Sequence, residues 1–145
     1  MILILGIVLV VLAITDTAFF DDPPTEEQKV SSTVTGFFDA AAEEDFEGAC
    51  ALLTKQAQQG MRQAAERAAQ AEVPLGCVQI MESVVGDSFA DVTVRVKESA
   101  DSVSISGNRA RAEAALKPEG EPSTIRTILL EEDEDGSGWQ ISDFG

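Results

Sequence analysis

The sequence predicts an α+β domain, helices first and an antiparallel sheet afterwards, preceded by an N-terminal membrane segment. Three observations carry that expectation. Apolar residues recur at helical spacing, with capping signals, between Thr25 and Val85. From Phe89 the period changes to alternation, as in half-buried strands. Turn-forming residues then separate the alternating runs.

Residues 1–14 (MILILGIVLVVLAI) carry no charge. A spanning helix needs about 20 apolar residues to cross roughly 30 Å of hydrocarbon. The run reaches nearly that length at Phe20, with Asp16 near the outer end, where a carboxylate is much cheaper than at the bilayer centre. Residues 1–20 therefore read as an uncleaved anchor. The rivals are a cleaved signal segment, whose apolar region is typically about 7–15 residues, and a buried core element. The stretch after Ile14 (TDTAFF) offers no good small-x-small cleavage site, and no Lys or Arg precedes Lys29. The expected location is the cell membrane, single-pass, with the domain on the extracytoplasmic side, or a secreted domain if the segment is cleaved. Residues 21–25 are an acidic, Pro-containing linker, and residues 26–145 form a single domain with a modest core.

Thr25-Glu26-Glu27-Gln28 is a capping box, a hydroxyl at the cap and Gln three residues later. Val30, Val34, Phe37, Phe38 and Ala41 then form one apolar stripe. The stretch 42–45 (AEED) breaks it, and Asp45 caps a short second helix reaching Leu53 that presents Phe46, Cys50 and Leu53. Thr54 caps a third helix over residues 55–71, whose apolar face (Ala57, Met61, Ala65, Ala68) is thin enough to predict partial exposure. Val73-Pro74-Leu75-Gly76 ends it, and a fourth helix over 77–85 carries Ile80, Met81, Val84 and Val85.

Val92, Val94 and Val96 alternate with Thr93, Arg95 and Lys97, and Val103 and Ile105 begin a second strand. Gly107-Asn108 is a tight-turn signal, after which residues 109–114 alternate charge with alanine. Those alanines leave room for a helix to pack closely or for a small cavity. Pro118, Gly120 and Pro122 mark a loop, residues 123–130 a further strand, 131–138 an acidic turn, and Trp139, Ile141 and Phe144 a last strand.

The chain has 26 acids against 10 bases and a formal charge of −16, with no histidine. That balance disfavours nucleic acid, whose phosphates demand a positive surface, and anionic lipid headgroups for the same reason. Cys50 and Cys77 are the only cysteines. In a small domain outside the cytosol an even pair reads as a structural disulfide. The loop it closes, about 27 residues, predicts roughly 3–4 kcal/mol of stabilisation by chain entropy.

Residues 34–53 (VTGFFDAAAEEDFEGACALL), Gly76-Cys77, 103–110 (VSISGNRA) and 138–144 (GWQISDF), together with the order of elements, resemble the nuclear transport factor 2-like (ketosteroid-isomerase-like) superfamily. The closer resemblance is to small membrane-anchored extracytoplasmic bacterial members without assigned activity. The resemblance implies a curved antiparallel sheet wrapped around the helices as a cone, and makes homodimerisation through the sheet an expectation. Its motifs are structural, so they imply a shape rather than a chemistry.

The isomerases and dehydratases of that superfamily work inside the cone with Asp, His or Tyr. This chain has neither His nor Tyr, which removes the usual base and phenolic donor. Asp39, Asp45 and Asp91 remain but read better as helix-end or surface carboxylates. No catalytic residue, cofactor or metal site is therefore expected. Asp133, Asp135, Ser137 and Gly138 match the first half of a calcium loop, yet its twelfth position, which needs a bidentate Glu, is Phe144. Two readings survive. The first is a non-catalytic extracytoplasmic protein-interaction or scaffold module, with an envelope protein as partner. The second is a carrier of a small apolar ligand in the cone, with Phe37, Phe38, Phe46 and Trp139 as candidate lining. An open apolar cavity of a few hundred Å³ with a few inward polar groups favours the second.

Overall fold

The computed structural model describes residues 22–70, 75–84, 92–96 and 102–145. The proposed anchor, residues 1–20, lies outside them, as do Val85 and Asp91. Among the described residues no helix is long and apolar enough to cross a membrane.

Helix α1 (Glu26–Ala42) starts at the expected capping box: Thr25 Oγ1 accepts from the Gln28 amide at 3.3 Å and Gln28 Oε1 accepts from the Thr25 amide at 2.9 Å. The five stripe residues Val30, Val34, Phe37, Phe38 and Ala41 are all buried. Glu44 turns the chain in the left-handed region (φ 61°), and Asp45 Oδ1 accepts from the Gly48 amide at 3.0 Å to cap α2 (Phe46–Ala51). Helix α2 is shorter than the sequence pattern predicts, because residues 52–54 leave it to pair with the last strand. The Ile141 amide donates to Leu52 O at 2.8 Å and the Thr54 amide to Ile141 O at 2.9 Å. This short parallel bridge covers part of a sheet edge that would otherwise offer unpaired backbone groups.

Thr54 then caps α3 (Lys55–Ala69), accepting from the Ala57 amide at 3.1 Å, and Gln70 ends the helix at φ 53°. Only Ala57 of α3 is buried, and Met61 and Ala65 are half-buried. Helix α4 (Cys77–Val84) places Ile80 and Met81 in the core. Cys50 and Cys77 form the disulfide, with Cα atoms 6.1 Å apart, and it ties α2 to the start of α4.

Among the described residues five strands follow: β1 (Val92–Val96), β2 (Val103–Ser106), β3 (Arg109–Pro118), β4 (Thr124–Glu132) and β5 (Trp139–Phe144). They form one antiparallel sheet in the order β1-β3-β4-β5. Strand β2 shares an edge of β3 with β1: β1 pairs residues 114–118 and β2 pairs residues 109–112. The helices pack on one face. Ala110, Ala112 and Ala114 point into that face and are buried, so α1 lies against β3 with little between the backbones. Of the two outcomes that the alanine alternation allowed, a close helix contact or a small cavity, these three positions take the helix contact. Inward residues form cross-strand rows: Val96–Ala114–Arg126, Val94–Leu116–Thr124, and Ala112–Ile128–Phe144.

Strand β5 breaks its alternation once. Leu130 pairs with Ile141 and Leu129 with Asp143, so Ser142 is an extra residue opposite no partner. Strict alternation from Trp139 and Ile141 would have turned Asp143 inward and Phe144 to solvent. The bulge restores Phe144 to the inner face, across from Ile128.

Candidate functional site

The inner face of the sheet does not fill completely. Beside the row Ala112–Ile128–Phe144 lies a cavity of about 290 Å³, walled by Phe37, Phe38, Met61, Met81, Leu116 and Ile128 and rimmed by Arg126, Phe144 and Gly145. Each wall has a local cause. The end of α1 delivers Phe37 and Phe38 because their neighbouring positions straddle the apolar stripe, and their rings meet edge to face at 5.2 Å. The bulge delivers Phe144, whose ring lies 5.0 Å from Phe37 and 6.3 Å from Phe38. Phe144 remains 38% exposed and stands at the opening. The Thr54 cap sets the start of α3 and so the position of Met61, and the disulfide fixes the helix that carries Met81.

Among the described residues one polar side chain joins this lining. Arg126 shares the inward parity of Ile128 and Leu130 on β4, but it is exposed, because β5 ends opposite Ile128 and no strand flanks it on that side. Among the described residues the lining contains no carboxylate, hydroxyl or amide side chain.

Of the four aromatic residues expected to line the cone, Phe37 and Phe38 do so, and Phe46 and Trp139 do not. Phe46 begins α2 and packs half-buried on the outside of the core cluster. Trp139 is buried at the opposite end of β5, where its indole Nε1 donates to Glu26 Oε2 at 2.9 Å and its carbonyl accepts from Thr33 Oγ1 at 3.4 Å. The indole N–H drew Trp139 toward a carboxylate at the start of α1 rather than into an apolar space. Glu26 also accepts from Lys29 Nζ at 2.7 Å. That bond first, and the indole second, hold its carboxyl below the usual 4.5.

The candidate acids lie elsewhere. Asp45 is the α2 cap, Asp39 is exposed on α1, and Asp91 is outside the described residues. The stretch 133–138 is a hairpin turn closed on itself: the Asp133 amide donates to Gly138 O at 2.9 Å, and the Ser137 amide to Asp135 Oδ1 at 3.0 Å. Hydrogen bonding from the Ser137 side chain first, and from this amide second, lowers the Asp135 pKa. Among the described residues no group of three or more metal-ligating side chains converges.

Two larger grooves are of another kind. One, about 730 Å³, lies on the outer face of the sheet beside the exposed Thr93, Arg95 and Lys117; the other, about 520 Å³, runs between the glutamine-rich side of α3 and the end of β5. About half of each lining is polar, and the second groove shares Met61 and Phe144 with the apolar cavity, so volume alone does not make them better sites than the smaller apolar one.

Sequence reasoning missed Met61, Met81, Leu116, Ile128, Arg126 and Phe144 as lining. A signal for Arg126 was present: in the strand 123–130 it has the parity of Ile128 and Leu130, an arginine where the pattern calls for an apolar residue.

No family model matches the chain, and no curated protein matches it. Among solved structures the chain is similar to a putative dehydratase of the nuclear transport factor 2-like family from Streptomyces avermitilis. The identity is 20%, the alignment covers 81% of this chain and 91% of that one, and the TM-score is 0.49.

Proposed function

We propose that the chain is a non-catalytic binding module that holds a small, mostly apolar ligand in the cavity between α1, α3, α4 and the sheet. In this reading residues 1–20 anchor it to the membrane and the domain works on the extracytoplasmic side. One observation carries the proposal: the inner face keeps an open apolar space of about 290 Å³ where, among the described residues, no lining side chain is an acid, base or nucleophile beyond a single guanidinium. That volume stands near the lower end of small-molecule sites, roughly 300–1,000 Å³. Acid–base chemistry near neutral pH needs a carboxylate, imidazole, thiol or amine within reach of the reacting atoms, and among the described residues no such side chain borders this space.

Methionine supplies the test, because the three methionines of the chain are Met1, Met61 and Met81, and the last two border the cavity. In the full-length chain labelled at the methionine methyl groups, 1-octanol is expected to shift Met61 and Met81 together and saturably. Leu116→Trp, which fills the space, is expected to abolish the response while the remaining spectrum stays folded. Unchanged Met61 and Met81 signals up to the solubility limit of the alcohol would sink the carrier reading.

The interaction-module reading draws on a different observation. Ile125 and Leu129 stand exposed on the outer face of β4, at positions of the same parity. Crosslinking in the native membrane, followed by identification of the captured protein, tests it, with a second copy of the chain as the simplest product.

A further inference from the structure

We infer that the ligand of this cavity is an organic anion, with a short apolar body inside and an acidic head group held by Arg126. The inference rests on the cavity being a ligand site and adds the chemical class of its occupant.

Arg126 is placed for that role by the register. It faces inward with Ile128, its cross-strand neighbour is Ala114, and β5 ends before reaching it. Ala114 is buried, and its methyl side chain offers no acceptor to a guanidinium. In a chain with 26 acidic side chains, three of the other five arginines meet a carboxylate: Arg62 meets Glu66 at 3.7 Å, Arg109 meets Glu131 at 3.8 Å and Arg111 meets Glu113 at 3.6 Å. Arg126 has no ion pair or hydrogen bond. Among the described cations without such a partner, it alone borders the apolar cavity. Five donors in a rigid planar fork suit a carboxylate bidentately.

The net charge of −16 does not forbid an anion there. At physiological ionic strength the Debye length is about 8 Å, so distant carboxylates are largely screened while a direct contact is not. Size narrows the class further. A space of about 290 Å³ holds roughly ten heavy atoms at about 30 Å³ each, the volume share of a water molecule in the liquid. The occupant is thus a single short-chain or single-ring acid, not a two-chain lipid.

Octanoate and 1-octanol are the matched probes, read at Met61 and Met81 in the full-length chain. Octanoate is expected to bind at least about tenfold tighter than 1-octanol, as for a charge-assisted pair of hydrogen bonds. Arg126→Gln should erase that difference by weakening octanoate alone, and Arg126→Lys should restore part of it. Met1 reports separately on any partition of the probes into the N-terminal segment. Equal affinity of the two probes, or a preference for octanoate that survives Arg126→Gln, overturns the inference while leaving the cavity as a ligand site. If neither probe moves Met61 or Met81, the cavity reading falls and this inference falls with it.

Discussion

Glu26 shows how much one side chain can organise without taking part in a site. Its carboxylate accepts from Lys29 Nζ at 2.7 Å and from the Trp139 indole at 2.9 Å, so the first turn of α1 is bound to the first residue of β5. The lysine contact is exposed, and pairs of that kind contribute little alone. The tie to Trp139 spans 113 positions and fixes the end of the sheet against the helix. Both partners favour the ionised form, so the folded-state pKa lies below the unfolded value. A depressed carboxyl stabilises the fold fully above the unfolded pKa and loses that contribution as pH falls through the folded one. Glu26→Gln is therefore expected to lower the urea midpoint at neutral pH. The gap to the wild type should close as pH drops below 4.5, the ordinary value of this carboxyl. A gap that stays constant down to pH 3 would show that ionisation of Glu26 contributes nothing. At this scale the sequence was half legible. The Phe37–Phe38 pair follows from helical periodicity, but which aromatic residues face a cavity depends on hydrogen-bond partners brought from the other end of the chain, and Trp139 went to one of those.

The elements were more legible than the site, because caps are local. Thr25, Asp45 and Thr54 each accept the backbone bond that their position predicts, and three helix starts follow from them. The ends were less legible. Helix α2 stops at Ala51 because residues 52–54 pair with Ile141, a long-range partner no local pattern contains. The bulge in β5 is the same kind of event. Its physical logic yields a counterintuitive expectation about Ser142. Removing it leaves Ile141, Asp143 and Phe144 as consecutive residues that can pair with Leu130, Leu129 and Ile128 in one regular ladder. Phe144 keeps its face, because the deletion removes the unpaired residue and shifts no pairing. Deletion of Ser142 should therefore cost no more than a typical single substitution, about 1 kcal/mol, and leave the Phe144 ring shifts against Phe37 in place. Deletion of Gln140 instead moves Trp139 out of phase with Ile141 and should be far more damaging. Equal losses from the two deletions, measured by urea unfolding, would show that Ser142 carries more than the register.

At the scale of the whole molecule, packing and charge pull in opposite directions. The core is continuous from α1 across β3, β4 and β5, and the disulfide adds a covalent tie between α2 and α4 at its margin. Against this stands a formal charge of −16, which favours any state that spreads the carboxylates apart. Among the described residues four ion pairs, Lys29–Glu26, Arg62–Glu66, Arg109–Glu131 and Arg111–Glu113, relieve part of it, and all are at least partly exposed. Each such pair contributes about 0–1 kcal/mol and weakens with salt. The excess of acids, 26 against 10 bases, leaves most carboxylates with repulsive neighbours that salt also screens. Repulsion involves more charges than attraction here, so screening should help the fold overall. Raising ionic strength from about 10 mM to about 150 mM shortens the Debye length from about 30 Å to about 8 Å, and the urea midpoint is expected to rise over that range. Urea is the suitable denaturant because guanidinium would itself supply the screening. A midpoint that falls with salt would mean that the four pairs outweigh the repulsion, and that the acidic surface is arranged rather than merely abundant.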